Sequence, residues 1–128
     1  MTIRSAWKLA GGLLIGITIL FSLLPSAQAP AIPDKLVHGA VYALLMLWFV
    51  QIIRRNRWAA LALALTLLGI SLELGQGAGG YRAFSCLDIA ANTFGIALGW
   101  TLALLGMSSI LTRLETVFAI HSTRRGTP

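Results

Sequence analysis

The chain has 128 residues, of which 57% are hydrophobic and only 11% charged, and its mean hydropathy is +0.82. That composition excludes a small soluble domain, whose solvated surface needs far more polar residues. The formal charge of +6 would suggest nucleic acid in a soluble protein, but here the basic residues sit in short segments beside apolar runs. They read as topology signals, and no nucleic-acid partner is expected.

Four apolar runs of about eighteen residues each approach the roughly 20 that a helix needs to cross a hydrocarbon core. The first, 7–24, has Arg4 and Lys8 at its start and ends at Pro25. Its Gly12 and Gly16 have the spacing that leaves a groove for another helix. The basic start and Ala27-Gln28-Ala29 also resemble a cleavable signal peptide. Pro30 directly after Ala29, and an apolar stretch longer than a signal core, favour a retained span. The second run, 36–53, stops at Arg54-Arg55-Asn56-Arg57, and the third covers 58–75. A glycine-rich loop, Gln76 to Cys86, leads into the fourth run, 87–105, with an extension toward Leu111. The tail from Thr112 has no sustained apolar face, so it is expected to be partly helical near the membrane and frayed at its end. The single Cys86 cannot form an intrachain disulfide and reads as a small filler.

With the amino terminus inside, Arg4, Lys8, Arg54, Arg55, Arg57, Arg113, Arg124 and Arg125 fall inside and only Lys35 and Arg82 outside. Eight against two is a strong positive-inside bias for loops this short. Trp7, Trp48 and Trp58 then lie at inner ends, where indoles sit among headgroups. The expected fold is therefore all-α: one membrane domain over 1–128, a four-helix transmembrane bundle with both termini cytoplasmic. Its place is the cytoplasmic (inner) membrane of a bacterium, as a multi-pass protein.

Three of the four acidic residues, Asp34, Glu73 and Asp88, fall at the outer ends of the second, third and fourth runs. Asp34, His38 and Tyr42 recur every four residues and so form one stripe descending about 12 Å. Lys35 lies beside that stripe. Glu73 and Gln76 share a face one turn apart, as do Asp88 and Asn92, with Gly95 and Gly99 continuing a small-residue face below. Arg82 and Ser85 sit in the intervening loop. Plain structural roles exist for several of these: Asp34 and Ser85 as helix caps, Lys35 reaching to headgroups, and Asn92 bonding to a neighbouring helix. A carboxylate at a membrane helix end nonetheless costs a few kcal/mol without a partner, and the Arg82 fork is the natural one for Glu73, with Asp88 competing. No tight ligand spacing joins His38, Glu73 and Asp88, so neither a metal nor a cofactor is assigned.

Asp34-Lys35-Leu36-Val37-His38 with Tyr42, then Glu73 with Gln76, then Arg82 through Asp88-Ile89-Ala90-Ala91-Asn92 and Gly95, together resemble the VanZ-like family of bacterial membrane proteins. The resemblance covers about residues 25–99 in three separated motifs. It implies a small multi-helix protein of the cell envelope, in a family named for a member linked to teicoplanin resistance, and it implies no established reaction. The residues it carries over are Asp34, Lys35, His38, Tyr42, Glu73, Gln76, Arg82, Asp88 and Asn92.

The leading expectation is a polar pocket at the outer face that engages a polar lipid, a glycolipid or a cell-wall intermediate, with membrane lipids as partners. An enzyme using His38 as acid or base beside Glu73 or Asp88 is the alternative. A small transporter is a second alternative; the absence of an ionisable residue at mid-depth in the first run and the fixed charge bias argue against it. Small-residue helix faces also leave room for a homo-oligomer.

Overall fold

The computed structural model describes residues 2–24, 34–80 and 84–125, and the side chains of these up to residue 120. Every regular element among them is helical: α1 (Ile3–Leu23), α2 (Asp34–Phe49), α3 (Trp58–Ala78), α4 (Cys86–Leu104) and α5 (Ile110–Arg125). Short 3₁₀ turns, Arg55–Arg57 and Met107–Ser109, lead into α3 and α5. Among the described residues, three helices are long and apolar enough to cross a membrane: α1, α3 together with its leading turn, and α4. The 16 residues of α2 give about 24 Å at 1.5 Å per residue, short of a hydrocarbon core of about 30 Å.

Local chemistry moves the helix boundaries from those expected. α1 begins at Ile3 rather than residue 7 because the Thr2 hydroxyl caps it, accepting from the Ser5 N–H. α2 ends at Phe49 rather than residue 53. The Gln51 amide reaches back to the Leu47 carbonyl, closing the last turn, and the chain leaves through Val50–Ile53. α3 runs on to Ala78, so Gln76 and Gly77 are helical rather than part of a loop. α4 stops at Leu104 because Gly106 takes a left-handed conformation with φ 110°, which rules out the expected extension toward Leu111. Beyond that break the tail is helical as the 16-residue α5, and the frayed end expected after it lies outside the described residues.

The centre of the fold is the crossing of α2 and α4. A Cβ on Gly99 would lie 2.6 Å from the Ala43 carbonyl oxygen, and one on Gly95 would collide with the Gly39 carbonyl. Small residues at Gly39 and Ala43 on one helix and Gly95 and Gly99 on the other thus bring the two backbones into contact, the usual device for helices that have no hydrophobic drive to associate in lipid. α3 packs across this pair through Leu61, Leu65 and Trp58, against Leu45, Met46, Ile96 and Ala103. α1 is attached along a thin seam in which Gly11 and Thr18 are its buried residues. Its Leu9, Leu13, Leu20 and Phe21 point outward. The expected groove at Gly12 and Gly16 is not the packing face: no atom approaches either position, whereas Gly11 lies against Trp48 and Phe49. The reason is the rotation of α1, which turns Gly11 inward and the Gly12–Gly16 edge out.

The end of the bundle that carries the arginines is tied to itself. Trp7 and Trp48 stack with centroids 4.1 Å apart. Each indole N–H donates to the other residue's carbonyl, at 3.2 and 3.0 Å. Trp58 is buried, not at a headgroup position as expected; it donates to the Ile53 carbonyl and meets Trp100 edge-on. Arg4 and Glu115 join α1 to α5.

Candidate functional site

At the opposite, acidic end, α2 begins with Asp34 and carries His38 and Tyr42 at successive four-residue steps. His38 Nε2 lies 3.8 Å from Asp34 Oδ1 along the helix, and His38 Nδ1 lies 3.1 Å from Asn92 Oδ1 on α4. The amide oxygen can only accept, so this contact is a hydrogen bond in the ring form that carries a proton on Nδ1. One turn before Asn92, Asp88 is also buried. One ligand-type atom each from Asp34, His38 and Asp88 fall within 4.8 Å of one another. Glu73 is not part of that group, although the sequence set it beside His38 and Asp88. Two acids and an imidazole from α2 and α4 therefore share one point, brought there by the glycine contact that lets these helices touch.

Glu73, with 1% of its surface exposed, has a different role. Its carboxylate accepts the Ser85 backbone N–H at 2.7 Å, and the Ser85 hydroxyl in turn caps α4 by accepting from the Asp88 N–H at 3.2 Å. A carboxylate on α3 thereby fixes the start of α4 and, through it, the position of Asp88. The expected partner of Glu73, Arg82, lies outside the described residues. Lys35 is exposed on the first turn of α2.

Tyr42 sits below His38 with 2% exposure. Its ring rests against the backbone of α3 at Gly69, where a Cβ would come within 3.0 Å of the Tyr42 hydroxyl and 2.9 Å of Asn92 Nδ2. Gly69 therefore admits both polar groups between α3 and α4. Gln76, also 2% exposed, donates from Nε2 to the Ser22 carbonyl of α1 at 2.6 Å. Among the described residues, the Tyr42 hydroxyl and Gln76 Oε1 are the buried polar side-chain atoms with no hydrogen-bond partner.

The structure thus brings Asp34, His38, Asp88 and Asn92 together, sets Tyr42 and Gln76 beside them, and gives Glu73 to the α4 cap. Cys86 is exposed at the first position of α4. Gly69 and the α1 pair Thr18 and Ser22 belong to this end but did not stand out in sequence. The signal for the pair was available: two hydroxyls four residues apart are the polar positions in the outer half of an otherwise apolar helix. Gly69 had no local signal, since a glycine inside an apolar run reads equally well as filler. No family model, curated protein or solved structure matches the chain.

Proposed function

We propose that the chain is a VanZ-like integral membrane protein of the bacterial inner membrane, whose acidic end faces outward and engages the polar head of a lipid, glycolipid or cell-wall intermediate. In this reading α2, continued by Val50–Ile53, completes a four-span bundle beside its closest neighbour α4, and both termini are cytoplasmic. The eight-to-two distribution of Lys and Arg supports that orientation. The observation that carries the proposal is the convergence of Asp34, His38, Asp88 and Asn92 from two helices at one end of an apolar bundle. Ionisable groups at membrane depth are costly and mark functional sites.

The test compares His38→Gln with the native chain, using the lipids that copurify from bacterial membranes. Gln keeps the size and one hydrogen-bonding end, so protein yield and membrane insertion are expected to hold while a copurifying polar lipid is depleted. An unchanged lipid profile at normal yield would defeat the headgroup reading. Orientation is tested separately by impermeant thiol labelling of Asn56→Cys and Gly79→Cys in intact cells, each in a Cys86→Ala background that removes the exposed native thiol. Labelling of Gly79→Cys and not of Asn56→Cys is expected, and the opposite result would invert the topology.

A second reading, an enzyme on a lipid-linked envelope substrate, is favoured by one feature: the His38 imidazole is held by Asn92 in a group with two carboxylates, Asp34 and Asp88. It predicts that extracts supplied with native protein accumulate a product that those supplied with His38→Gln do not.

A further inference from the structure

Between α1 and α2 lies a cavity of about 360 Å³. Its apolar wall comes from Leu14, Ile17 and Phe21 of α1 and Val37, Val41 and Leu44 of α2. Ile17, Phe21, Val37 and Leu44 are themselves exposed on the side of the bundle, so the cavity is a cleft that opens laterally. The polar groups are not scattered through it. Asp34, His38, Gln76 and Ser22 belong to its acidic end, and Thr18 and Tyr42 lie deeper. The depth order follows from α2, where Tyr42 is two turns below Asp34, and from α3, where Gln76 is two turns above the Gly69 that touches Tyr42.

The space is open to the side and so is a surface cleft rather than a closed packing void. It falls in the size range of small-molecule sites, about 300–1,000 Å³, and has their usual lining, mostly apolar with a few placed polar groups. In a bilayer an apolar cleft open to the side fills with hydrocarbon rather than water. Gln76 adds a chemical requirement. Its amide nitrogen is engaged by Ser22, which fixes the amide so that Oε1 is left as a buried acceptor without a donor. Flipping the amide does not help, since it would set oxygen against the Ser22 carbonyl. The Tyr42 hydroxyl below is a second buried atom without a partner.

We propose that this cleft binds a single-chain amphiphile, with the chain between α1 and α2 and a hydrogen-bond-donating head, such as a hydroxyl, meeting Gln76 at the acidic end. The proposal rests on that end facing a headgroup layer, and it adds a chain site and a donor requirement to the headgroup reading. One chain fits because the space, about 360 Å³, has no room for two. A head that only accepts hydrogen bonds leaves Gln76 Oε1 unsatisfied and is discriminated against, as sites built around a buried polar group reject analogues lacking the matching group.

The experiment uses the full chain in detergent and two probes with the same tail: palmitoyl monoacylglycerol, whose head donates, and methyl palmitate, whose head does not. Native mass spectrometry reads the bound fraction of each. The native chain is expected to hold the monoacylglycerol about tenfold better, the effect of one buried hydrogen bond. Gln76→Leu is expected to abolish that preference. Val41→Phe, which fills the cleft from its apolar wall, is expected to release both probes, while Leu63→Phe, on an exposed face of α3, keeps both. Equal retention of the two probes by the native chain overturns the proposal without any variant needing to fold. So does native-like retention by Val41→Phe. The headgroup reading fails on a different result, an unchanged copurifying lipid in His38→Gln, which leaves the probe preference untouched.

Discussion

Gln51 and Gln76 are the same residue type, both buried, at opposite ends of one bundle. Gln51 donates to the Leu47 and Met107 carbonyls and accepts the Leu111 N–H, so both ends of its amide are used. Gln76 donates to Ser22 and accepts nothing. The surroundings repeat the contrast: Trp7, Trp48 and Trp58 all donate to carbonyls at the basic end, whereas the Tyr42 hydroxyl at the acidic end has no partner among the described residues. A buried unsatisfied group costs about 1–3 kcal/mol in either place. The basic end is thus closed by the protein's own backbone and serves to hold α1, α2, α3 and α5 together. The acidic end is left with hydrogen bonds for something else to make.

The most severe way to break this comparison is to remove both ends at once. Gly99→Leu forces a side chain into the Ala43 backbone, which cannot yield as a flexible side chain would. We expect a loss of more than about 3 kcal/mol, or no folded protein, measured as thermal unfolding in detergent. A melting midpoint close to native would mean that the α2–α4 crossing is not what assembles the two ends.

Next in size is Gln51→Leu, which removes three hydrogen bonds at the closed end and leaves the Leu111 N–H buried. Destabilisation of about 2–3 kcal/mol is expected, with faster amide exchange confined to the start of α5. Exchange rising equally over all helices would show that Gln51 has no special hold on the α4–α5 junction.

The same kind of change at the open end should behave otherwise. Tyr42→Phe deletes a hydroxyl that has no partner, so stability is expected to stay within about 0.5 kcal/mol of native or rise slightly. A loss above about 1.5 kcal/mol would show that the hydroxyl is satisfied within the fold, and would erase the difference between the ends. The smallest effect belongs to Arg4→Ala. Its ion pair with Glu115 is largely exposed, and the thermal midpoint should not move at moderate salt. A clear shift that vanishes as salt is added would place α5 under stronger electrostatic control than its exposure implies.

Some of this was legible in the chain because the relevant physics is local. Helix content follows from the apolar runs. The four-residue stripe of Asp34, His38 and Tyr42 and the turn-spaced pair Asp88 and Asn92 follow from helical periodicity, and the Ser85 cap from its place before an apolar run. Which of the α1 glycines packs was not legible: Gly11, Gly12 and Gly16 differ only by the rotation of α1, and that depends on Trp48 and Phe49 far along the chain. Trp58 was misplaced for a similar reason, since an indole at a helix end suits either a headgroup layer or a core.

What the sequence by itself determined is that the chain is an apolar, all-helical protein with three of its four acidic residues gathered at one end and most of its arginines at the other. Each of those properties is written in composition or in spacing along a single helix. The tertiary structure decided which groups meet. It gave His38 to Asn92 and set Asp34 and Asp88 beside it, turned Glu73 to the α4 cap, and left Gln76 and Tyr42 incompletely bonded beside a cleft. Those outcomes depend on how closely α2 and α4 approach through Gly39, Ala43, Gly95 and Gly99, and on which face α1 turns toward them. Contacts between residues tens of positions apart arise from packing geometry, which no periodicity within one helix encodes.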